Sequence, residues 1–411
     1  MKMRWIIAAL LLVPETISAQ VQADRALLAE IRQIRAIDNH SHIPPFATLP
    51  ETAAPRDPLG VAEFPYPVRL RVDSPEWLRA WRALYGTPVT DPGAVLQRKE
   101  RLIRDQGESH IAWVLDRVGI DIALNNAPAL GAGQTAPRFR WVPSGNALLS
   151  PFGHADANPA AGGADRPATL DAYETLIANR VSQWKREGAV AIKLTLAYSR
   201  SLDVAHVPPA DAARIYGAAV TTGSAPSAPE VKTLQDYLFR VLARLAGDAG
   251  LVMHIHAGIG ADPWFAITGS NPLLLEPPVS DPSLRKTMFV LIHGGWPFER
   301  QAGVMLIKPN VYADFSAQTF LRSPRALSET LRVWLEWYPE KVLFGTDAYP
   351  EPGTPLADWQ EKLWLANDTA REALAIALTG MMQDGQITRA RALQLARMVL
   401  RENAMQLYSI K

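Results

Sequence analysis

The sequence contains no cysteine. Disulfides therefore contribute nothing to stability, and a large buried core must supply it. Thiolate ligands are excluded as well, so a zinc-type site would have to use histidine and carboxylate. A net field is also missing: 42 Lys plus Arg stand against 41 Asp plus Glu. Nothing in that balance recruits nucleic acid or an acidic surface, and no nucleic-acid partner is expected. Unbroken apolar runs of about eighteen residues, the length that spans a bilayer, are absent too.

What is present is the composition of a folded chain, 48% apolar and 20% charged over 411 residues. The N-terminus stands apart. Lys2 and Arg4 precede the apolar run Trp5 to Val13, Pro14 breaks it, and small residues follow. This is the layout of a signal peptide over residues 1–23, with cleavage after Ala19 or Ala23. A membrane-anchored N-terminus is the competing reading. Cleavage is expected to leave a single domain over 24–411, exported to the periplasm or secreted, with no stable membrane insertion.

Short apolar runs, partly β-branched, recur along the rest: 35–40, 118–124, 140–146, 189–195, 251–256, 288–293, 311–314 and 341–347. Runs of this kind suit strands buried on both faces. Apolar residues three and four apart mark helices over Leu170–Glu187, Val231–Ala246 and Pro324–Tyr338, with essentially continuous helix from Asp358 to Tyr408. Gly188, Gly250 and Pro339 punctuate the approach to the next strand. Eight strands alternating with helices predict an α/β fold, a (β/α)8 TIM barrel with long βα-loop insertions and a helical C-terminal segment. About seventy residues follow the first run and about fifty-five the fourth. Long βα loops of that kind are expected to lie over the barrel mouth and shape a substrate pocket.

Five of only eight histidines end these runs: His40, His42, His254, His256 and His293. In a barrel the C-terminal strand ends converge on one rim, and two residues apart on a strand means the same face. His40 and His42 can therefore both face the axis. Neutral imidazoles plus Asp347, at the end of the eighth run, are the donors that a borderline divalent ion favours. A lone strand-end histidine would more simply be a packed core residue. Three strands sending histidines to one rim outweigh that reading. His254 falls a layer below His256, either orienting a ligand or simply packing. Tyr198, Arg200 and Trp296 follow the fourth and sixth strands, where they could bind substrate, Arg200 by gripping an anion. A solvated Arg200 and a packed Trp296 are the alternatives. His110, His154 and His206 carry no pattern and are expected on the surface.

Taken together, Asp38-Asn39-His40-Ser41-His42, His256-Ala257-Gly258, His293-Gly294-Gly295, the 344–348 segment Phe-Gly-Thr-Asp-Ala and the 399–404 segment Val-Leu-Arg-Glu-Asn-Ala resemble the amidohydrolase superfamily. The resemblance is to its amidohydrolase-related (amidohydrolase 2) branch, and it runs from about Ile34 onward. It implies that His40, His42 and Asp347 hold the deeper metal, and that Asp347 also shuttles the proton of the attacking water. A bound divalent ion brings the pKa of its water towards neutrality, which is the chemistry such a site supplies.

Lys193 decides the metal count. Phosphotriesterases of this superfamily carry a carboxylated lysine on the fourth strand that bridges two metals. A match would place His256 and His293 on the second ion. Lys193 could equally be a cation gripping a substrate carboxylate, or a strand-end lysine, since an ammonium cannot ligate a cation. Decarboxylase members lack this lysine and use one metal. The expectation is a metal-dependent hydrolase acting on an amide, ester or lactone of a small molecule, with zinc as the expected ion and one or two ions bound. Non-oxidative decarboxylation of an aromatic or unsaturated acid is the second reading, and a non-catalytic metal- or ligand-binding protein the third. A homo-oligomer is left open.

Overall fold

Among the described residues eight strands run parallel: β1 Ala36–Ser41, β2 Ile120–Asn126, β3 Phe139–Val142, β4 Ala191–Leu194, β5 Val252–His256, β6 Phe289–Ile292, β7 Val311–Asp314 and β8 Val342–Leu343. They come from a computed structural model that describes residues 21–46, 67–71, 73–86, 91–153, 166–260, 266–351 and 354–410. The ladder forms two sheets, β1-β2-β3 and β4 to β8. Both gaps between them are bridged. Val190 N donates to Trp141 O at 3.0 Å and Lys193 N to Pro143 O at 2.9 Å, joining β3 to β4. Asn39 N donates to Phe344 O (2.8 Å), Asp347 N to His40 O (2.7 Å) and His42 N to Ala348 O (2.8 Å), joining β8 to β1. The barrel closes through these bonds.

Two apolar layers hold it. Inside, Ile37, Ile122, Leu124, Ala191, Val252, Val290, Ile292 and Leu343 fill the floor together with Ala404, Tyr408 and Ile410 from the C-terminal segment. Outside, the helices pack their buried faces on the sheet. The helices Leu170–Arg186, Ala228–Asp248 and Pro324–Trp337 match the periodicity read from the sequence. The C-terminal stretch divides into Trp359–Gln383, Arg389–Arg397, a π-helical turn Met398–Glu402 and Asn403–Tyr408. No helix among the described residues is long and apolar enough to cross a membrane.

The long gap after β1 differs from the expected loop. Its described residues hold three α-helices, Pro75–Tyr85, Pro92–Gln106 and Ser109–Val118, with Trp77 and Trp81 buried. Pro75 and Pro92 sit at helix starts, where the missing N–H costs nothing. Residues 47–66 of that gap, like 1–20 of the proposed leader, lie outside the described residues.

His110, expected on the surface, is buried in the helix Ser109–Val118. Its ring stacks on Trp113 with centroids 5.6 Å apart, and Nδ1 lies 2.9 Å from Gln106 Oε1. The helix period puts it on the inward face beside Ile111 and Val114. Burial, with Lys99 adding repulsion, pulls its pKa down to about 4. The unfolded chain takes up that proton near pH 6.5, whereas the folded chain holds off until about 4. Stability is thus full above about pH 6.5 and falls as pH drops towards 4. Urea unfolding at pH 7 and pH 4.5 should show His110→Phe losing about 2 kcal/mol less over that interval than the parent. Equal losses in both proteins would remove His110 as the cause. His206 is exposed, and His154 lies outside the described residues.

Candidate metal centre

The site begins with an irregularity in β1. Its pairing with β2 slips between Asp38 and Ser41. Strict alternation would allow only one of two consecutive residues to face inward, and a bulge relaxes that rule. Asn39 and His40 both find partners inside the barrel: Asn39 meets Tyr408 and Asp314, while His40 meets Lys193 and Asp347. Asp38, fully buried, clamps the other side of the slip. It accepts from His40 N at 3.2 Å, Thr346 N at 2.8 Å and Thr346 Oγ1 at 2.5 Å. Burial pushes the Asp38 carboxyl up to about 7 against the pull of these bonds. The clamp fixes the backbone just before Asp347, whose φ of 58° lies in the left-handed region.

Asp347 is where the cluster meets. Its Oδ1 lies 3.2 Å from His40 Nε2 and 3.4 Å from His42 Nε2, and its Oδ2 lies 3.9 Å from His293 Nδ1. The His256 and His293 ring centroids are 4.6 Å apart, and those of His40 and His293 are 5.4 Å apart. Lys193 Nζ approaches the same His40 Nε2 at 2.9 Å. The five predicted ligands and Lys193 are therefore brought together.

Protonation suits a cation. Burial holds His40 and His256 well below the usual histidine value and brings His293 down to about 3, so the imidazoles are neutral. Burial alone would raise Asp347, but its interaction with His293 and hydrogen bonds with His40 and His42 outweigh it and hold the carboxyl well below its ordinary range. Lys193 is drawn down to about 8 by burial, against the attraction of Asp347 and Asp314. Among the described residues His256 Nε2 is buried with no hydrogen-bond partner, as are His40 Nδ1, His254 Nδ1 and, outside the cluster, His110 Nε2. His40, His42 and Asp347 each offer a ligand atom within 4.8 Å of the others. Neutral imidazoles, one carboxylate and an unpaired buried nitrogen fit a divalent ion of the zinc type.

The histidine motifs also explain their glycines. Gly258 has φ +88°, and a Cβ there would stand 2.4 Å from Trp296 O. Gly294 has φ +56°, and a Cβ would stand 2.4 Å from the Trp334 ring. Neither position accepts a side chain, so the chain after His256 and after His293 can turn sharply and stay packed.

Of the expected pocket residues, Tyr198 packs its ring 4.4 Å from that of His256, and half-buried Trp296 follows His293 with its carbonyl accepting from Ile259 N. Arg200 differs from the expected anion grip. Its NH1 lies 2.7 Å from Asp236 Oδ1 in a nearly buried ion pair, and that partner, far off in sequence, takes up its charge. His254 does lie a layer below. Its Nε2 is 2.6 Å from Tyr408 Oη, and its ring centroid is 6.4 Å from that of His40.

The sequence assigned no individual role to Asp38, Asn39, Asn125, Asp314, Ser316, Thr346 or Tyr408. Asn125 holds both backbone groups of Ile43 directly after His42, at 2.8 and 3.0 Å. Asp314 ends the seventh apolar run, and that strand-end position was the available signal.

A family model described as amidohydrolase matches residues 37–410. The chain belongs to that family. Protein fluG of Emericella nidulans is 31% identical over 232 residues, which is 54% of this chain and 26% of fluG. The chain thus spans about a quarter of that relative's length. Among solved structures, one described as a metal-dependent hydrolase from Lactobacillus casei aligns at TM-score 0.62 and 16% identity, over 95% of this chain and 98% of the other. Glucuronate isomerase from Caulobacter crescentus aligns at 0.57 and 14% identity over 94% of each chain. Uronate isomerase from Thermotoga maritima aligns at 0.55 and 13% identity, over 93% of this chain and 96% of the other. At such identities the likeness concerns the amidohydrolase fold, the (β/α)8 barrel, and a fold does not choose a reaction.

Proposed function

We propose that the chain is a metal-dependent hydrolase of a small molecule bearing an amide, ester or lactone bond. The observation that carries this reading is the placement of Asp347. One of its oxygens meets His40 and His42, while the side chain keeps 15% exposure towards the mouth. A single carboxylate can then belong to the ligand set and also take a proton from water and return it to the leaving group. His40, His42 and Asp347 would hold one divalent ion, zinc by donor chemistry, and His256 and His293 a second. The ion would supply Lewis acidity and an acidified water. Tyr198 and Trp296 would line the substrate pocket. Lys193, with His40 as its hydrogen-bond partner, would carry a carbamate between the ions, formed by its neutral amine and carbon dioxide with release of one proton. The leader-like residues 1–23 support export and a substrate met outside the cytoplasm.

Elemental analysis of purified protein tests the reading. One or two equivalents of divalent transition metal are expected, with Lys193→Ala losing about one of two. Stripping the metal with a chelator should lower the melting temperature, because ligand at a hundredfold its Kd stabilises by about 2.7 kcal/mol. A protein that neither carries metal nor binds it on reconstitution overturns the proposal. A single ion unchanged in Lys193→Ala, together with carbon dioxide release from carboxylic acid substrates, would replace hydrolysis by decarboxylation.

A further inference from the structure

Behind His293 lies a buried chain of polar groups that the proton chemistry of Asp347 does not use. Asp314 is fully buried. Its Oδ1 accepts from His293 N at 2.9 Å, Ser316 N at 3.1 Å and Ser316 Oγ at 2.7 Å, and its Oδ2 accepts from Asn39 Nδ2 at 2.7 Å. Two backbone N–H groups and an amide NH2 can only donate, so Asp314 meets them as an acceptor. Ser316 therefore spends its single proton on Asp314. The same Oγ lies 2.9 Å from His293 Nδ1, and with its proton committed it can only accept there. His293 is thereby fixed with its proton on Nδ1 and its lone pair on Nε2.

The far end of the chain is equally determined. Asn39, with its NH2 turned to Asp314, presents Oδ1 to the Tyr408 hydroxyl at 2.5 Å. Tyr408 donates there and so accepts from His254 Nε2 at 2.6 Å. Every donor in the series has one acceptor, and the series joins β1, β5, the turn after β6, β7 and the helix Asn403–Tyr408.

We propose that Ser316, oriented by Asp314, is a positioning residue that sets the tautomer and ring orientation of His293, so that only Nε2 is offered to a divalent ion. The inference rests on the metal-centre reading above. Such outer partners raise the basicity of a ligand imidazole and restrict its rotation, and their loss typically weakens binding about 10- to 100-fold.

The test is metal affinity of the full chain, measured with Zn2+ against a competing chelator, plus the visible spectrum of the Co2+-loaded protein. Ser316→Ala should bind its more weakly held ion about 10- to 100-fold less tightly, with a changed cobalt spectrum. Ser316→Thr keeps the hydroxyl and should return affinity to within about threefold of the parent. Tyr408→Phe breaks the chain at its remote end without touching His293, and should shift affinity less than Ser316→Ala. If Ser316→Ala does not fold, Ser316→Thr and Ser316→Cys provide the comparison, the thiol being the poorer donor and acceptor and the weaker binder. Ser316→Ala with the parent's affinity and spectrum overturns the proposal, as does an equal loss in Ser316→Ala and Ser316→Thr. A parent protein that binds no Zn2+ fails the metal-centre reading instead, so the two failures are distinguishable.

Discussion

Replacing Asp347 with asparagine should lower turnover by about a thousandfold or more while leaving the metal-free protein folded at nearly its original melting temperature. The two halves of that expectation have separate causes. Asparagine is one of the few residues that adopts the left-handed backbone readily, so the φ of 58° at this position is not strained by the change. The bonds that hold the segment are made by backbone and by Asp38 to Thr346, and they survive. What is lost is a charged oxygen 3.2 Å and 3.4 Å from His40 and His42 and a group able to accept a proton. Metal content measured alongside turnover separates lost binding from lost proton transfer. Full activity in Asp347→Asn would exclude this carboxylate from the chemistry.

The largest loss of stability is expected at Glu361. Its fully buried carboxylate accepts from Lys99 Nζ at 3.0 and 3.1 Å and from Tyr85 Oη at 2.5 Å. It also bonds Asp358 N at 3.1 Å, closing a capping box on the helix Trp359–Gln383. Lys99 is itself 2% exposed. In Glu361→Leu the ammonium keeps one carbonyl partner, Pro355 O, and loses its adjacent counter-charge, with Asp358 3.9 Å away. Breaking one half of a buried pair costs about 3–5 kcal/mol. Chemical denaturation should show that loss, and the double variant Lys99→Met/Glu361→Leu should recover most of it, since the stranded charge dominates. A double variant no more stable than Glu361→Leu would place the cost in the cap and in Tyr85 instead.

The barrel and the cluster of candidate metal ligands were legible in the sequence because both depend on local pattern. Apolar runs ending in His256, His293 or Asp347 announce buried strands whose ends carry chemistry. The eighth strand is only Val342–Leu343. The rest of its predicted run is irregular backbone held by Asp38, a partner 308 positions away. Arg200 reads as either an anion grip or a solvated loop residue, and its pairing with Asp236 on the helix Ala228–Asp248 appears only once the chain is folded. His110 read as surface because one polar residue does not reveal which helix face is buried. Ser316, Asp314 and Tyr408 gave no signal as a set. They form a relay only after Asn39, His254 and His293 are folded against them, and hydrogen-bond direction is a property of that assembly.

The bond between Tyr408 and Asn39 spans 369 positions, and the seam between β8 and β1 spans nearly as many. A chain emerging from the ribosome N-terminus first makes β1 early and must then hold it without its second neighbour for most of the synthesis. Asp38, Asn39 and His40 wait for Thr346, Tyr408 and Asp347, all beyond residue 340, to complete their bonds. Contacts of such separation form slowly, and the intermediate that precedes them exposes strand edges. The ligand set is therefore completed only when the barrel shuts, so a nascent or truncated chain that lacks the last strand and helices would hold His40 and His42 without their carboxylate.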